Sequence, residues 1–245
     1  MMRFDIMTLF PALVDGILAE SIIGRAQKSG AIEVHTHNIR DYSADKHRRV
    51  DDTPYGGGMG MLMAAPPIVN CFEAVCGMQP AEVRRHVVYL SPRGEIFNHA
   101  MAKRFAGYDN LVLLCGHYEG IDARVLDLVV DEEVSIGDFV LTGGELPACI
   151  VADAVARLCP GVLSDEECYE NESIAGGLLE YPQYTRPFEY RGLTVPDVLI
   201  SGHHESIDKW RLEQSVALTR VRRPDLYAAW RAEHPEPEKK GGKKR

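Results

Sequence analysis

No run in this 245-residue sequence reaches the roughly 18 consecutive apolar residues that a membrane-spanning helix needs, so no membrane span is expected. The opening stretch, MMRFDIMTLFP, carries an early acid, Asp5, and no small-residue cleavage site, so it does not read as a signal peptide. No CxxC pair occurs among the six cysteines (Cys71, Cys76, Cys115, Cys149, Cys159 and Cys168), which argues against structural zinc and against a dithiol redox site. Cys115 and Cys149 lie in apolar runs and read as reduced core residues. Neither GxxxxGK[ST] nor a post-strand GxGxxG is present, which removes the two commonest phosphate-cradling loops. Internal repeats are lacking too. What remains is ordinary globular composition, 45% apolar and 26% charged, expected of a cytoplasmic protein.

Positive charge is also short. The net charge is −9, which argues against a nonspecific nucleic-acid binder. The deficit is uneven, however. From Ser201 to Arg245 there are 11 Lys/Arg against 7 Asp/Glu, and the other 200 residues hold 16 against 29. The basic end includes TRVRRPDL and a KKGGKKR tail that reads as a disordered, solubilising end. The split permits an RNA partner without requiring one.

Strand-like runs are plentiful. RFDIMTLF, AIEVHTHNI, RHVVYLSP, NLVLLCG and EEVSIGDFVL are short apolar or alternating stretches bounded by turn residues. Between them the pattern turns helical. One helix is expected from Pro11 to Gly30, and others over IFNHAMAKRFAG and GIDARVLDLVV. LPACIVADAVARLCPG is a strong helix, with Ile150, Ala154, Val155 and Leu158 on one face and Pro160-Gly161 at its stop. Alternating strands and helices predict an α/β domain over residues 1–160 with a mainly parallel sheet. Residues 161–200, rich in acids, turn residues and prolines, read as a flexible linker and irregular segment. Residues 201–245 read as a small helical domain, with Ile207, Trp210 and Gln214 on one side and Pro224 at a helix start.

Glycine is concentrated where strands end. YLSPRGE, LCGHYEGID and SIGDFVLTGGELP each run from an apolar strand into Gly, Ser or Pro. In open α/β sheets, ligands bind beyond the carboxyl ends of the strands. Three such loops at one edge predict a pocket of backbone groups with few charges, suited to a neutral heteroaromatic ligand. A separate cluster, DDTPYGGGMGM, reads either as a flexible loop or as bare backbone lying against a flat base, with Asp51 or Asp52 as acceptor. DKHRRVDD reads as a charged surface loop or as a phosphate-binding segment through His47, Arg48 and Arg49. His203-His204 has poor chelating geometry and no third ligand nearby, so no metal ligand is assigned.

TPYGGGMGM, YLSPRG, GHYEGIDARV, SIGDFVLTGGELPA, GLLEYPQYTRP and VPDVLISGHH, in that order, together resemble the bacterial tRNA (guanine-N1)-methyltransferases of the knotted SPOUT superfamily. The resemblance covers roughly Arg3 to Trp230. It implies a deep trefoil knot near the C-terminal end of the α/β domain, an exception to the usual rule against knots. It implies S-adenosylmethionine held in a bent form by three loops. Tyr89, Leu90, Ser91 and Pro92 would contact it from one loop, and Gly116, Tyr118, Glu119 and Gly120 from the next. Ile136, Gly137, Leu141, Gly143, Gly144 and Pro147 would contact it from the last. On this reading Gly143 and Gly144 are glycines because the cofactor passes close to them.

The implied reaction methylates N1 of the guanosine at position 37 of tRNA, just 3′ of the anticodon. N1 carries a proton at neutral pH, so a carboxylate base is needed. The family pattern places that base in the linker as an Asp before Ser. Here Glu172 occupies the place, one methylene longer, with Glu170 as the fallback. Arg157 matches the family's catalytic arginine and would stabilise negative charge on the guanine O6. Asp51, Gly57, Gly58, His47, Arg48 and Arg186 are the expected tRNA contacts. A homodimer with its active site at the subunit interface and a magnesium dependence are implied as well, although nothing in the sequence marks a magnesium site. His117, where relatives carry Arg or His, is given no role. A knotted methyltransferase acting on another RNA nucleotide, and a noncatalytic RNA- or cofactor-binding protein, remain as alternative readings.

Overall fold

The structure is a computed structural model and describes residues 1–164 and 173–235. Glu170, Glu172, Cys168 and the basic tail from residue 236 onward lie outside the described residues. The chain divides into two compact units, Met1–Glu166 and Glu167–Arg245.

The first unit is built on a five-stranded sheet of β1 (Met2–Thr8), β2 (Ile32–Asn38), β5 (Arg85–Ile96), β6 (Asn110–Cys115) and β7 (Glu132–Ser135). Their spatial order is β2-β1-β6-β5-β7, and every pairing is parallel. Parallel strands need crossovers, and these cover both faces, which explains why the central strands read as near-continuous apolar runs. Side chains alternate between two cores. Phe4, Ile6, Val88, Leu90, Leu111 and Leu113 pack on one face. Met7, Val87, Tyr89, Val112 and Leu114 pack on the other. Helices α1 (Pro11–Leu18), α2 (Ser21–Ser29), α4 (His99–Phe105) and α6 (Glu145–Ala156) serve the first face, and α3 (Ala65–Gly77) and α5 (Arg124–Val129) the second. Among the described residues the free cysteines are Cys71, Cys76, Cys115, Cys149 and Cys159, all but Cys76 buried, and burial pushes the Cys149 thiol up to about 11.

Several elements depart from expectation. The helix expected from Pro11 to Gly30 is two helices, broken at Ala19–Glu20, where Ser21 takes a left-handed φ of 55°. The bare backbone of Gly24 makes the tight junction possible, since a Cβ there would overlap the Ala19 carbonyl oxygen. Gly30 does end α2, in the left-handed cap conformation. In α6 the buried face is Ala148, Val151, Ala152 and Val155, whereas Ile150 is 48% exposed. Helix α3 is an element the sequence reading did not assign; Pro66 and Pro67 stand in its first turn, where proline is tolerated. EEVSIGDFVL is a strand only as far as Ser135, and Phe139 and Val140 beyond it are exposed.

The second unit contains a two-stranded hairpin, β8 (Glu189–Tyr190) and β9 (Leu193–Thr194), followed by α7 (His204–Arg222) and α8 (Pro224–Glu233). The hairpin lies within the segment expected to be irregular. Buried Thr219 of α7 accepts the Leu179 N–H at 2.8 Å and donates to the Ser215 carbonyl at 2.6 Å. The Arg211 guanidinium lies 5.0 Å over the Tyr181 ring. No helix among the described residues is long and apolar enough to cross a membrane.

Candidate active site

Because β5, β6 and β7 are parallel neighbours, their carboxyl ends open on the same edge of the sheet. A cavity of about 440 Å³ lies there, within the usual size of small-molecule sites. Its walls come from three loops. At β5 the strand bulges: Leu90 and Glu95 both face Val134 of β7, so residues 91–94 loop outward. Gly94 permits this, because a Cβ there would overlap the Glu133 carbonyl group. The expected strand end at Ser91-Pro92 is therefore a bulge inside a longer strand. Past β6, Gly116 lets the chain turn against Tyr89, whose ring hydroxyl would stand 2.8 Å from any Cβ at that position. Burial raises the Tyr89 phenol above its ordinary range. Tyr118 holds a left-handed φ of 58°, rare for a side chain of its size and a mark of local strain.

The third loop, after β7, crosses the end of β6. The Gly144 N–H donates to the Gly116 carbonyl at 2.8 Å, and Gly143 pairs antiparallel with His117. The reason for two glycines is internal. A Cβ on Gly144 would stand 2.7 Å from Cys115 Cα and 3.0 Å from the Gly116 nitrogen. One on Gly143 would stand 2.8 Å from His117 Nδ1 and would overlap Glu145 Oε2. The chain's own atoms fill the space that the sequence reading reserved for the cofactor.

All positions assigned to the cofactor line this cavity except Gly137, which turns the chain just after β7 and whose N–H donates to Ser135 Oγ of the same loop at 3.2 Å. Sequence reasoning missed Leu62, Arg93, His117 and Thr142 on the wall. Leu62 arrives through β3 (Asp51–Asp52) and β4 (Leu62–Met63), the antiparallel pair that frames the DDTPYGGGMGM cluster. Glu119 N–H donates to the Met61 carbonyl at 3.0 Å and Met63 N–H to the Gly120 carbonyl at 2.9 Å, which ties that cluster to the cavity rim. Half-buried Asp51 stands in β3 opposite Met63, while Gly57 and Gly58 are exposed with φ of 78° and 136°. His47 and Arg48 are exposed just before β3, and Arg48 pairs with Asp41 at 2.9 Å.

Behind the cavity, Glu145 is only 3% exposed and accepts from Thr8 Oγ1 at 2.8 Å. Its place in the first turn of α6 favours a negative charge. Neither Thr8 nor Glu145 carried a sequence signal, since 137 residues separate them. Half-buried Arg157 caps the other end of α6. Arg157 follows Glu145 by twelve residues of helix, so the two are about 18 Å apart along the axis. The described chain thus does not bring Arg157 to its own cavity. Exposed Arg186 belongs to the second unit. Among the described residues no group of three His, Cys, Asp or Glu side chains stands ready for a metal ion.

Comparison with known proteins gives the family. Residues 2–229 match the family described as tRNA (Guanine-1)-methyltransferase TrmD. A tRNA (guanine-N(1)-)-methyltransferase of Ruminiclostridium cellulolyticum is 54% identical over 226 residues, covering 92% of this chain and 96% of its own. The protein of that name from Geobacter sulfurreducens is 56% identical over 225 residues, covering 92% and 91%. The one from Clostridioides difficile is 52% identical, covering 92% and 97%. With its glycine-bearing loops gathered at the carboxyl edge of a parallel sheet and this likeness along nearly its whole length, the chain belongs to the tRNA (guanine-N1)-methyltransferase family.

Proposed function

We propose that this protein transfers the methyl group of S-adenosylmethionine to N1 of the guanosine at position 37 of tRNA, in the cytoplasm, as a homodimer with a trefoil knot around its cofactor. The observation that carries the reading is the meeting of three glycine-bearing loops in one cavity. The cavity suits the cofactor. Leu90, Pro92 and Leu141 offer apolar cover for an adenine, the turning backbone offers N–H and C=O groups for its edge, and Glu119 offers a carboxylate to a cationic ligand. When bound, S-adenosylmethionine supplies an electrophilic methyl group. The crossing of the last loop over the end of β6, followed by α6 packing back beneath the sheet, supports the knot.

The chain's own work is alignment and proton removal. Glu172 takes the N1 proton as the N1–methyl bond forms, and the departing sulfur keeps the electron pair of the broken S–C bond. Arg157 stabilises the charge that gathers on O6 as N1–H is lost. With Arg157 at the far end of α6, about 15 Å along the axis from Pro147 on the cavity wall, the active site is completed by the second subunit. The exposed apolar residues Leu13, Ile17, Leu146 and Ile150 on α1 and α6 support a subunit contact there. His47, Arg48 and Arg186 contact tRNA phosphates and the helical unit grips the tRNA, while Asp51, Gly57 and Gly58 face the target base, flipped out of its stack. The family's magnesium dependence is assigned no residue and no step.

The test is methyl transfer from labelled S-adenosylmethionine to two tRNA transcripts that differ only at the base 3′ of the anticodon. Label is expected on the G transcript alone, recovered as 1-methylguanosine. Label on both transcripts, or elsewhere in the tRNA, would refute the target.

A further inference from the structure

His117 borders the cavity just past Gly116. Its ring is held by neighbours: Phe10 packs against it with centroids 5.0 Å apart, and Tyr118 meets it edge-on. Yet its Nδ1 is buried and has no hydrogen-bond partner. A buried polar nitrogen left unpaired is costly, so such an atom points to something that completes it. Glu145 is placed to do so. Thr8 occupies its Oε1, and Oε2 remains toward Gly143. Oε2 and His117 Nδ1 both border the space that a Cβ on Gly143 would fill, so they are at most about 5 Å apart, beyond a direct hydrogen bond.

We propose that His117 donates Nδ1–H to Oε2 of Glu145 when a ligand fills the cavity. Thr8, Glu145 and His117 then form a continuous polar link behind the cavity. It joins the end of β1, the start of α6 and the loop past β6. His117 and Glu145 are positioning residues: they set the spacing of two cavity loops and do not touch the reacting atoms. Gly143 leaves the gap in which the bond closes, and closing it requires a movement of about 2 Å or less. The inference rests on the cavity being the S-adenosylmethionine site.

The test compares equilibrium binding of labelled S-adenosylmethionine to the full-length protein and to its His117→Asn and His117→Gln variants. Asparagine places its amide near the position of Nδ1, glutamine near that of Nε2. His117→Asn is expected to bind within about threefold of the parent, and His117→Gln about tenfold more weakly, the scale of one hydrogen bond. Ligand-free melting should fall by the same amount in both, because both lose the ring contacts with Phe10 and Tyr118 and neither loses a bond at Nδ1. Nitrogen NMR of the bound protein should show His117 protonated at Nδ1. Equal weakening by both variants, no weakening by either, or an Nδ1 without its proton would overturn the inference. If the parent protein binds no S-adenosylmethionine at all, the reading of the cavity falls first, and this one with it.

Discussion

Gly144→Ala separates two explanations of the glycine pair. The backbone at Gly144, φ −82° and ψ −3°, is one that alanine adopts freely, so any cost is steric. The new methyl would stand 2.7 Å from Cys115 Cα and 3.0 Å from the Gly116 nitrogen. These are backbone atoms at the end of a central strand, and no rotamer change relieves them. Overpacking of this kind costs about 1–3 kcal/mol. For a protein of this size that corresponds to a fall in melting temperature of about 2–12 °C. The assay is thermal unfolding with and without saturating S-adenosylmethionine, with Gly77→Ala as control. Gly77, the last residue of α3, has open space where a Cβ would go, and the control should match or slightly exceed the parent in stability. If the chain's own packing demands the glycine, Gly144→Ala is destabilised without ligand. A variant that melts with the parent protein but binds the cofactor poorly would refute that reasoning and return the space to the ligand.

Three further outcomes are expected. Glu172→Gln should slow single-turnover methyl transfer by about 10²–10⁴-fold, the range for loss of a general base, while Glu172→Asp retains most of the rate; near-normal turnover by the Gln variant would remove Glu172 from the mechanism. On the proposed shared site, Arg157→Ala and Gly116→Leu should each be inactive alone, yet an equimolar mixture after subunit exchange should recover about a quarter of the parent activity, because about half of the dimers are mixed and each of those carries one intact site of two; no recovery would place Arg157 and the cavity of one chain in the same site. Asp5 is fully buried in β1. Burial pushes its carboxyl up, but hydrogen bonds from His37, Arg3 and Asn110 outweigh this and hold it at about 2. Its folded value is thus below its unfolded one, so its contribution of about 2 kcal/mol is complete above pH ~4 and lost as pH falls toward 2. Urea unfolding across that window should show a shallower acid slope in Asp5→Asn, and an unchanged slope would contradict the network's role.

The sequence by itself determined the layers. Apolar runs such as NLVLLC can satisfy a strand only when both faces are covered, and that condition selects a parallel sheet with helices on each side. It also located the three loops, because glycine and proline after a strand restrict the backbone through local sterics, which neighbouring residues suffice to show. Glu145 was quoted within its motif, yet nothing nearby marked it as the buried partner of Thr8, since that bond exists only after β1 and α6 are packed together. The same holds for the reason behind Gly143 and Gly144: their forbidden space is filled by Cys115, Gly116, His117 and Glu145, which the fold brings there. The bulge in β5 needs β7 beside it, and the exposure of Ile150 depends on which stripe of α6 meets the sheet. Arg157 shows the limit most plainly. Its residue type and motif were readable, but only the length and direction of α6 put it at the far end of that helix from the cavity wall, about 15 Å along the axis from Pro147.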